Sequence, residues 1–212
     1  ERTPPRSGKK KKRARRRKKS ARDSDAASAG RSRVVNHPHR MVRESWHEPA
    51  VPEQWPAVPD IQPRPMLIRP VGSDQVFLLA PEDAEGEFSI GARKLARKAW
   101  SRKGRSRPVN KRLLKLLYRA TRHFDVPQVV LVSGVRRGRR SSRHFHGRAV
   151  DVVLPGVSDR ELARFFRQQG FVGVGLYPVS GFVHLDVRGQ SYFWIDRSSP
   201  GQRNRERALD LE

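Results

Sequence analysis

A chain of 212 residues with 46 Lys and Arg against 21 Asp and Glu carries a formal charge of +25 and no cysteine. Its length suits one globular domain plus tails, while 35% apolar residues is low enough that part of the chain is expected to stay unfolded. Disulfides, thiolate metal sites and cysteine nucleophiles are excluded, and no stretch reaches the roughly 18 apolar residues that a membrane span requires.

Two blocks hold the charge. Residues 1–33 contain 15 basic and 3 acidic residues and almost nothing apolar, so a solvated, disordered basic tail is expected there. Such a tail binds polyanions by Coulomb attraction and counterion release: an anionic envelope polymer, a lipid surface or nucleic acid. It lacks the interleaved aromatics that stack on bases, so nucleic acid is the weakest of the three. A solubilising leader or processing remnant is the plain alternative. The sequence begins at Glu1 rather than Met, so a removed signal peptide is neither seen nor excluded.

Residues 34–65 contain seven prolines and read as an extended linker, with Trp46 and Trp55 as anchors onto a domain surface. A folded domain is expected over 66–198, followed by a C-terminal tail, 199–212. Met66–Val71 and Gln75–Leu79 read as strands around the turn signal Gly72-Ser73-Asp74.

The second basic block, residues 93–122, has 13 basic residues and no acid. Ala92, Leu95, Ala96 and Ala99 recur at helical spacing. After Pro108, Leu113, Leu116, Leu117, Ala120 and Phe124 mark the apolar face of a second helix that stops before Pro127. These are domain helices with basic outer faces.

Further along, Gln128–Ser133 and Arg148–Leu154 read as strands. Ser158 and Glu161 form a capping box for a helix carrying Leu162, Phe165 and Phe166, which Gly170 ends. Phe171–Tyr177 and Phe182–Val187 complete the strands around the turn Pro178–Gly181. Strands and helices do not alternate regularly, which predicts an α+β fold with a mainly antiparallel sheet and flanking helices.

Period-two alternation then locates the chemistry. In Arg148–Leu154, Val150, Val152 and Leu154 share one face while Asp151 lies on the other. In Phe182–Arg188, His184 and Asp186 lie opposite Val183, Leu185 and Val187. If the two strands are neighbours, Asp151 and His184 converge, and His144 can close over them from the preceding turn. Two imidazoles and a carboxylate are a catalytic zinc set that leaves the fourth position to water, whose pKa falls from about 15.7 toward about 7. By spacing alone the same pattern equally suits structural His–Asp pairs.

Ser142-Arg-His144-Phe-His-Gly147-Arg-Ala149-Val-Asp151 resembles the S-x-H-x-x-G-x-A-x-D signature of the zinc D-Ala-D-Ala peptidases. These belong to the LAS group of murein metallopeptidases, which shares its fold with the Hedgehog signalling domain. Gly173–Pro178 with Phe182–Val187 is similar to the second metal motif of the murein endopeptidase branch, and Ser133-Gly134-Val135-Arg136 to its S-G-Y-R. The resemblance spans roughly residues 108–198. It implies zinc held by His144, Asp151 and His184, an oxyanion-stabilising Arg136 at the scissile carbonyl, and substrate hydrogen-bonded by Ser142.

Departures from the pattern bear on mechanism. Many relatives carry a Glu, Asp or His just upstream of the last ligand as general base, where this chain has Gly181 and Phe182. Asp186 is the substitute, as catalytic base or as partner of an imidazole. Only Arg137–Ser141 separate Arg136 from Ser142, a shorter loop than usual, and Val135 replaces the familiar tyrosine. His146 is expected at the surface or behind a ligand.

The expected function is a zinc peptidase that hydrolyses peptidoglycan stem or cross-link peptides, as murein endopeptidase or D-Ala-D-Ala carboxypeptidase. The expected place is the bacterial envelope, periplasmic or exported, with the tail holding a monomer to anionic polymers or lipid. The alternative is a non-catalytic peptidoglycan- or polyanion-binding module on the same fold.

Overall fold

The computed structural model describes residues 45–48, 55–101, 104, 106–136, 140–200 and 202–209. The chain divides after residue 35, and all the described residues belong to the second unit, 36–212. The basic tail expected over 1–33, much of the proline-rich linker and Arg137–Arg139 of the short loop lie outside the described residues.

In chain order the second unit comprises β1 (Met66–Pro70), β2 (Phe77–Leu79), α1 (Ile90–Trp100), α2 (Lys111–His123), β3 (Gln128–Ser133), a 3₁₀ turn (His144–His146) and β4 (Ala149–Val153). There follow α3 (Asp159–Arg167), β5 (Val172–Tyr177), β6 (Phe182–Val187), β7 (Tyr192–Asp196) and β8 (Glu206–Ala208). The strands form one sheet in the order β2-β1-β3-β4-β6-β5-β7-β8. The β1–β3 and β5–β7 pairs are parallel and the other five antiparallel. The fold is therefore α+β with a mostly antiparallel, mixed sheet.

Each helix begins where a side chain can satisfy its free N–H groups. Ser89 caps α1 and Asn110 caps α2. Ser158 and Glu161 close the expected capping box on α3. One sheet face is covered by these helices: Val150, Val152, Val183 and Leu185 pack with Ala96, Leu113, Leu117 and Phe166. Leu95 departs from its expected place on the apolar side of α1 and is 40% exposed, because Ala92, Ala96, Ala99 and Trp100 already fill the contact. Among the described residues no helix is long and apolar enough to cross a membrane.

The opposite sheet face carries a smaller cluster, in which Trp46 and Trp55 are buried with Leu67, Val130 and Val153. Arg69 lies over the Trp55 ring at 4.9 Å. Beside this cluster, on the same face, β4 and β6 carry their polar residues, Asp151, His184 and Asp186.

Two strands escape the sequence pattern. β7 is a near-continuous apolar run set by parallel pairing with β5 rather than by a hairpin turn. β8 lies in the segment expected as tail and is exposed throughout, so it has no buried face to generate alternation.

Candidate metal centre

Antiparallel pairing of β4 with β6 sets Asp151 directly opposite His184, so the two side chains leave the same sheet face side by side. His144 reaches them from the 3₁₀ turn. That turn ends at Gly147, which has φ 67° and lies so close to Pro108 that a Cβ would run into its carbonyl oxygen. Glycine is required on both counts.

The three side chains are 2%, 3% and 8% exposed for His144, Asp151 and His184. His144 Nε2 lies 3.1 Å from His184 Nδ1 and 3.4 Å from Asp151 Oδ1, and His184 Nδ1 is 2.7 Å from the same oxygen. Hydrogen bonding fixes the imidazoles. A carbonyl only accepts, so His144 Nδ1–H donates to Gly134 O at 2.8 Å and leaves Nε2 as the lone-pair nitrogen. His184 Nε2–H donates to Asp186 Oδ2 at 3.1 Å, which turns Nδ1 toward the cluster. Two nitrogen lone pairs and a carboxylate thus converge at one point, an arrangement relieved by a cation. His144, Asp151 and His184 offer ligand atoms all within 4.8 Å of one another, and this donor set fits zinc.

Burial pushes the Asp151 carboxyl up, but His144 and His184 outweigh it and hold the group well below the usual carboxylate range. Burial likewise raises Asp186, while hydrogen bonds from Arg188 and His184 bring it down to about 2. Both acids are ionised and ready to serve a cation or an imidazole.

Asp186 stands on the other ring nitrogen of His184 from the cluster. Arg188 grips its carboxylate through Nε at 2.7 Å and through a second, shorter bond from Nη2, and Arg143 Nε approaches at 3.2 Å. At 1% exposure it has no access to a substrate-side water. Of the two roles the sequence leaves for it, its position suits the carboxylate that would orient His184 as a metal ligand.

Arg136 stands at the rim, 51% exposed, with Nη1 3.6 Å from Asp151 Oδ2. Ser142 is half-buried, and its carbonyl accepts the Phe145 N–H at 3.1 Å to close the turn before His144. It does not line the cleft above the centre. His146 points away, its Nε2 bonded to Arg140 O at 2.6 Å.

The cleft, about 240 Å³, is walled by Asp151, Arg136, Tyr177, Phe182 and Trp46, and by Ser198, Ser199, Pro200, Gln202 and Asn204. Tyr177 and Trp194 have no role in the sequence pattern. Burial pushes the Tyr177 phenol up, so it keeps its proton, and its oxygen accepts the Trp194 Nε1–H at 3.1 Å. Trp194 stacks obliquely on His184, ring centres 5.2 Å apart. The signal for Tyr177 was its place two and four residues from Gly175 and Gly173 on β5. Trp194 was hidden with its strand.

Neither the curated proteins nor the solved structures contain a match to this chain. Residues 93–186, which span α1 to β6 and include all three ligand candidates, match the family model of Peptidase M15 and so support a metallopeptidase hydrolase built on this centre.

Proposed function

We propose that this protein is a zinc-dependent peptidase of the cell envelope that hydrolyses peptidoglycan stem or cross-link peptides at a bond involving a D-amino acid. The observation that carries the reading is the convergence of His144 Nε2, Asp151 Oδ1 and His184 Nδ1 beside an open cleft. Zinc held there would polarise the scissile carbonyl and supply an acidified water for the attack. The chain's own groups do the rest. Arg136, half-exposed at the rim, donates to the carbonyl oxygen as its charge grows. The neutral Tyr177 phenol, which also lines the cleft, donates to substrate. Asp186 keeps His184 in its ligating tautomer.

Metal analysis of protein purified without chelator is the first test, with His184→Ala as the comparison. Bound zinc that disappears in the variant is the expected result. Purified sacculi incubated with the protein would then show by mass spectrometry which bond is cut. No zinc, or no difference between the two proteins, would overturn the reading.

One observation favours a second reading, a non-catalytic binding module. Asp151 is the one acid among the described residues lining the cleft, so no separate carboxylate stands ready as a base. That reading predicts sacculus binding without soluble product. Turnover abolished by Asp151→Ala would exclude it.

The basic tail fits the same setting as an electrostatic tether for a monomer, to anionic envelope polymers or lipid. Sedimentation with sacculi should weaken as salt rises and should fall when residues 1–33 are removed.

A further inference from the structure

The connection from β7 to β8 reaches the metal face of the sheet. Trp194 lies against the His184 ring, and Asp196, two residues on, leaves β7 on the same face. Beyond it Ser198, Ser199, Gln202 and Asn204 line the cleft together with Asp151 and Arg136. This wall therefore borders the same space as a ligand candidate. It lies outside residues 93–186, the segment that matches the family model, and so belongs to this chain's own C-terminal region.

Asp196 holds the connection at both ends. It is fully buried, and its Oδ1 accepts from the Ser198 amide at 2.8 Å, the Ser198 hydroxyl at 2.6 Å and the Arg205 amide at 3.3 Å. Ser198 stands near the start of the connection and Arg205 immediately before β8, so one oxygen ties the two together. Between them the Gln202 N–H donates to Ser199 O at 3.0 Å. Asp196 Oδ2 is buried and has no hydrogen-bond partner among the described residues. A half-satisfied buried carboxylate is a costly way to stabilise a fold; what this one secures is the shape of the wall.

The wall's chemistry is uncharged. Asn and Gln side chains carry the same carbonyl and N–H groups as a peptide bond, and Ser hydroxyls both donate and accept. Ser199, Gln202 and Asn204 are exposed, so a ligand can reach them. The Asn204 amide donates to Glu206 Oε1 at 3.4 Å and keeps its oxygen as an acceptor. Arg203 and Arg205 alternate with Gln202 and Asn204 in sequence but do not line the cleft. Groups of this kind pair with the main chain of an extended peptide whatever its side chains.

We infer that this wall binds the main chain of the peptide beside its scissile bond, and that Asp196 is a positioning residue that shapes the wall without touching substrate. The inference rests on the peptidase reading for the identity of the ligand. It adds that recognition on this side of the cleft reads backbone amides rather than side-chain charge.

The test uses the full chain and two fluorescein-labelled peptides. Both end in a D-Ala-D-Ala unit whose amide is reduced to an amine, so neither can be cut. In one of them all remaining backbone amides are N-methylated, which removes the N–H groups and keeps the side chains. Anisotropy titrations should show the unmethylated peptide preferred by about tenfold, the effect of one or two hydrogen bonds. Gln202→Ala/Asn204→Ala should bring the preference near one. Asp196→Ala should do the same with the wall's own side chains intact, and Asp196→Asn, which keeps an acceptor oxygen, should restore most of it. Zinc affinity should be unchanged in all three; a parallel loss of zinc would place the effect at the metal centre and overturn the assignment. If Asp196→Ala fails to fold, the Gln202/Asn204 variant still decides. Equal binding of the two peptides by the unaltered chain, or a preference that survives Gln202→Ala/Asn204→Ala, would overturn the inference. So would displacement of the peptide by peptide-free glycan strands through these two side chains. A wall-dependent preference without any cleavage of the unreduced peptides would leave the wall standing and sink the peptidase reading. Cleavage of both with the same KM would do the reverse.

Discussion

Gly175 faces His184 across the β5–β6 ladder and Trp194 across the β5–β7 ladder, and its missing side chain is what lets the indole lie against the imidazole. A Cβ on Gly175 would run into the Trp194 ring. Two residues earlier Gly173 faces Asp186, and a Cβ there would meet the Asp186 carboxylate and the Arg188 guanidinium. Two glycines on one strand face thus make the room in which the neighbours of His184 are packed.

Gly175→Ala is expected to push the indole away from His184. Overpacking of this kind costs about 1–3 kcal/mol. Chemical denaturation should show that loss, and tryptophan fluorescence should report a changed Trp194 environment in the folded state. An unchanged spectrum at unchanged stability would mean the contact is not tight.

Asp186→Asn should lower metal affinity by about 10–100-fold, the usual cost of losing a carboxylate behind a ligating histidine. Competition with a chromophoric chelator measures it directly. A base in the cleft would behave differently: its loss would cut turnover while leaving metal affinity alone. The bonds from Arg188 and Arg143 onto this carboxylate favour the first outcome.

The contrast between Asp151 and Asp186 shows what a sequence can reveal. Period-two alternation puts Asp151, His184 and Asp186 on the same sheet face, and the β4–β6 pairing makes that face a site. Alternation cannot say which nitrogen of His184 each acid meets, because that depends on ring orientation set by Trp194 and Arg188. Trp194 sits on a strand whose apolar run has no hairpin signal, and the C-terminal wall of the cleft follows from β8, which buries nothing. The helices were legible because their caps and apolar faces are local. The two parallel pairings were not, since each joins strands separated by other elements.

Removing the metal should lower stability by mass action. A ligand present at about 100 times its Kd stabilises the folded state by about 2.7 kcal/mol. Thermal melts with chelator, and again after zinc is restored in excess, should show a reversible drop in Tm. His184→Ala should melt at the same temperature with and without chelator.

Ser158→Ala tests a part of the fold remote from chemistry. The Ser158 hydroxyl caps the Glu161 amide while the Glu161 carboxylate returns to the Ser158 amide. Its loss should cost about 1 kcal/mol in urea denaturation. α3 packs Leu162, Ala163 and Phe166 into the helix side of the sheet, away from the metal centre, so metal affinity should not change.

Trp46 decides where the working domain begins. It is 7% exposed, shares a cluster with Trp55, Leu67, Val130 and Val153, and forms one wall of the cleft. The neighbouring His47 holds the segment down: its carbonyl accepts the Gly156 N–H at 3.0 Å, and its Nε2 lies 3.1 Å from Gly181 O in the β5–β6 turn. Trp46→Ala should cost about 3–5 kcal/mol, the range for emptying a buried aromatic site. Trp46→Phe keeps most of the volume and should cost less, while still altering KM because the wall changes shape. A chain starting at residue 66 loses both tryptophans and uncovers Leu67, Val130 and Val153, so it should unfold at lower denaturant than the full chain. Equal midpoints for the two chains would show that the tryptophan layer contributes nothing to stability.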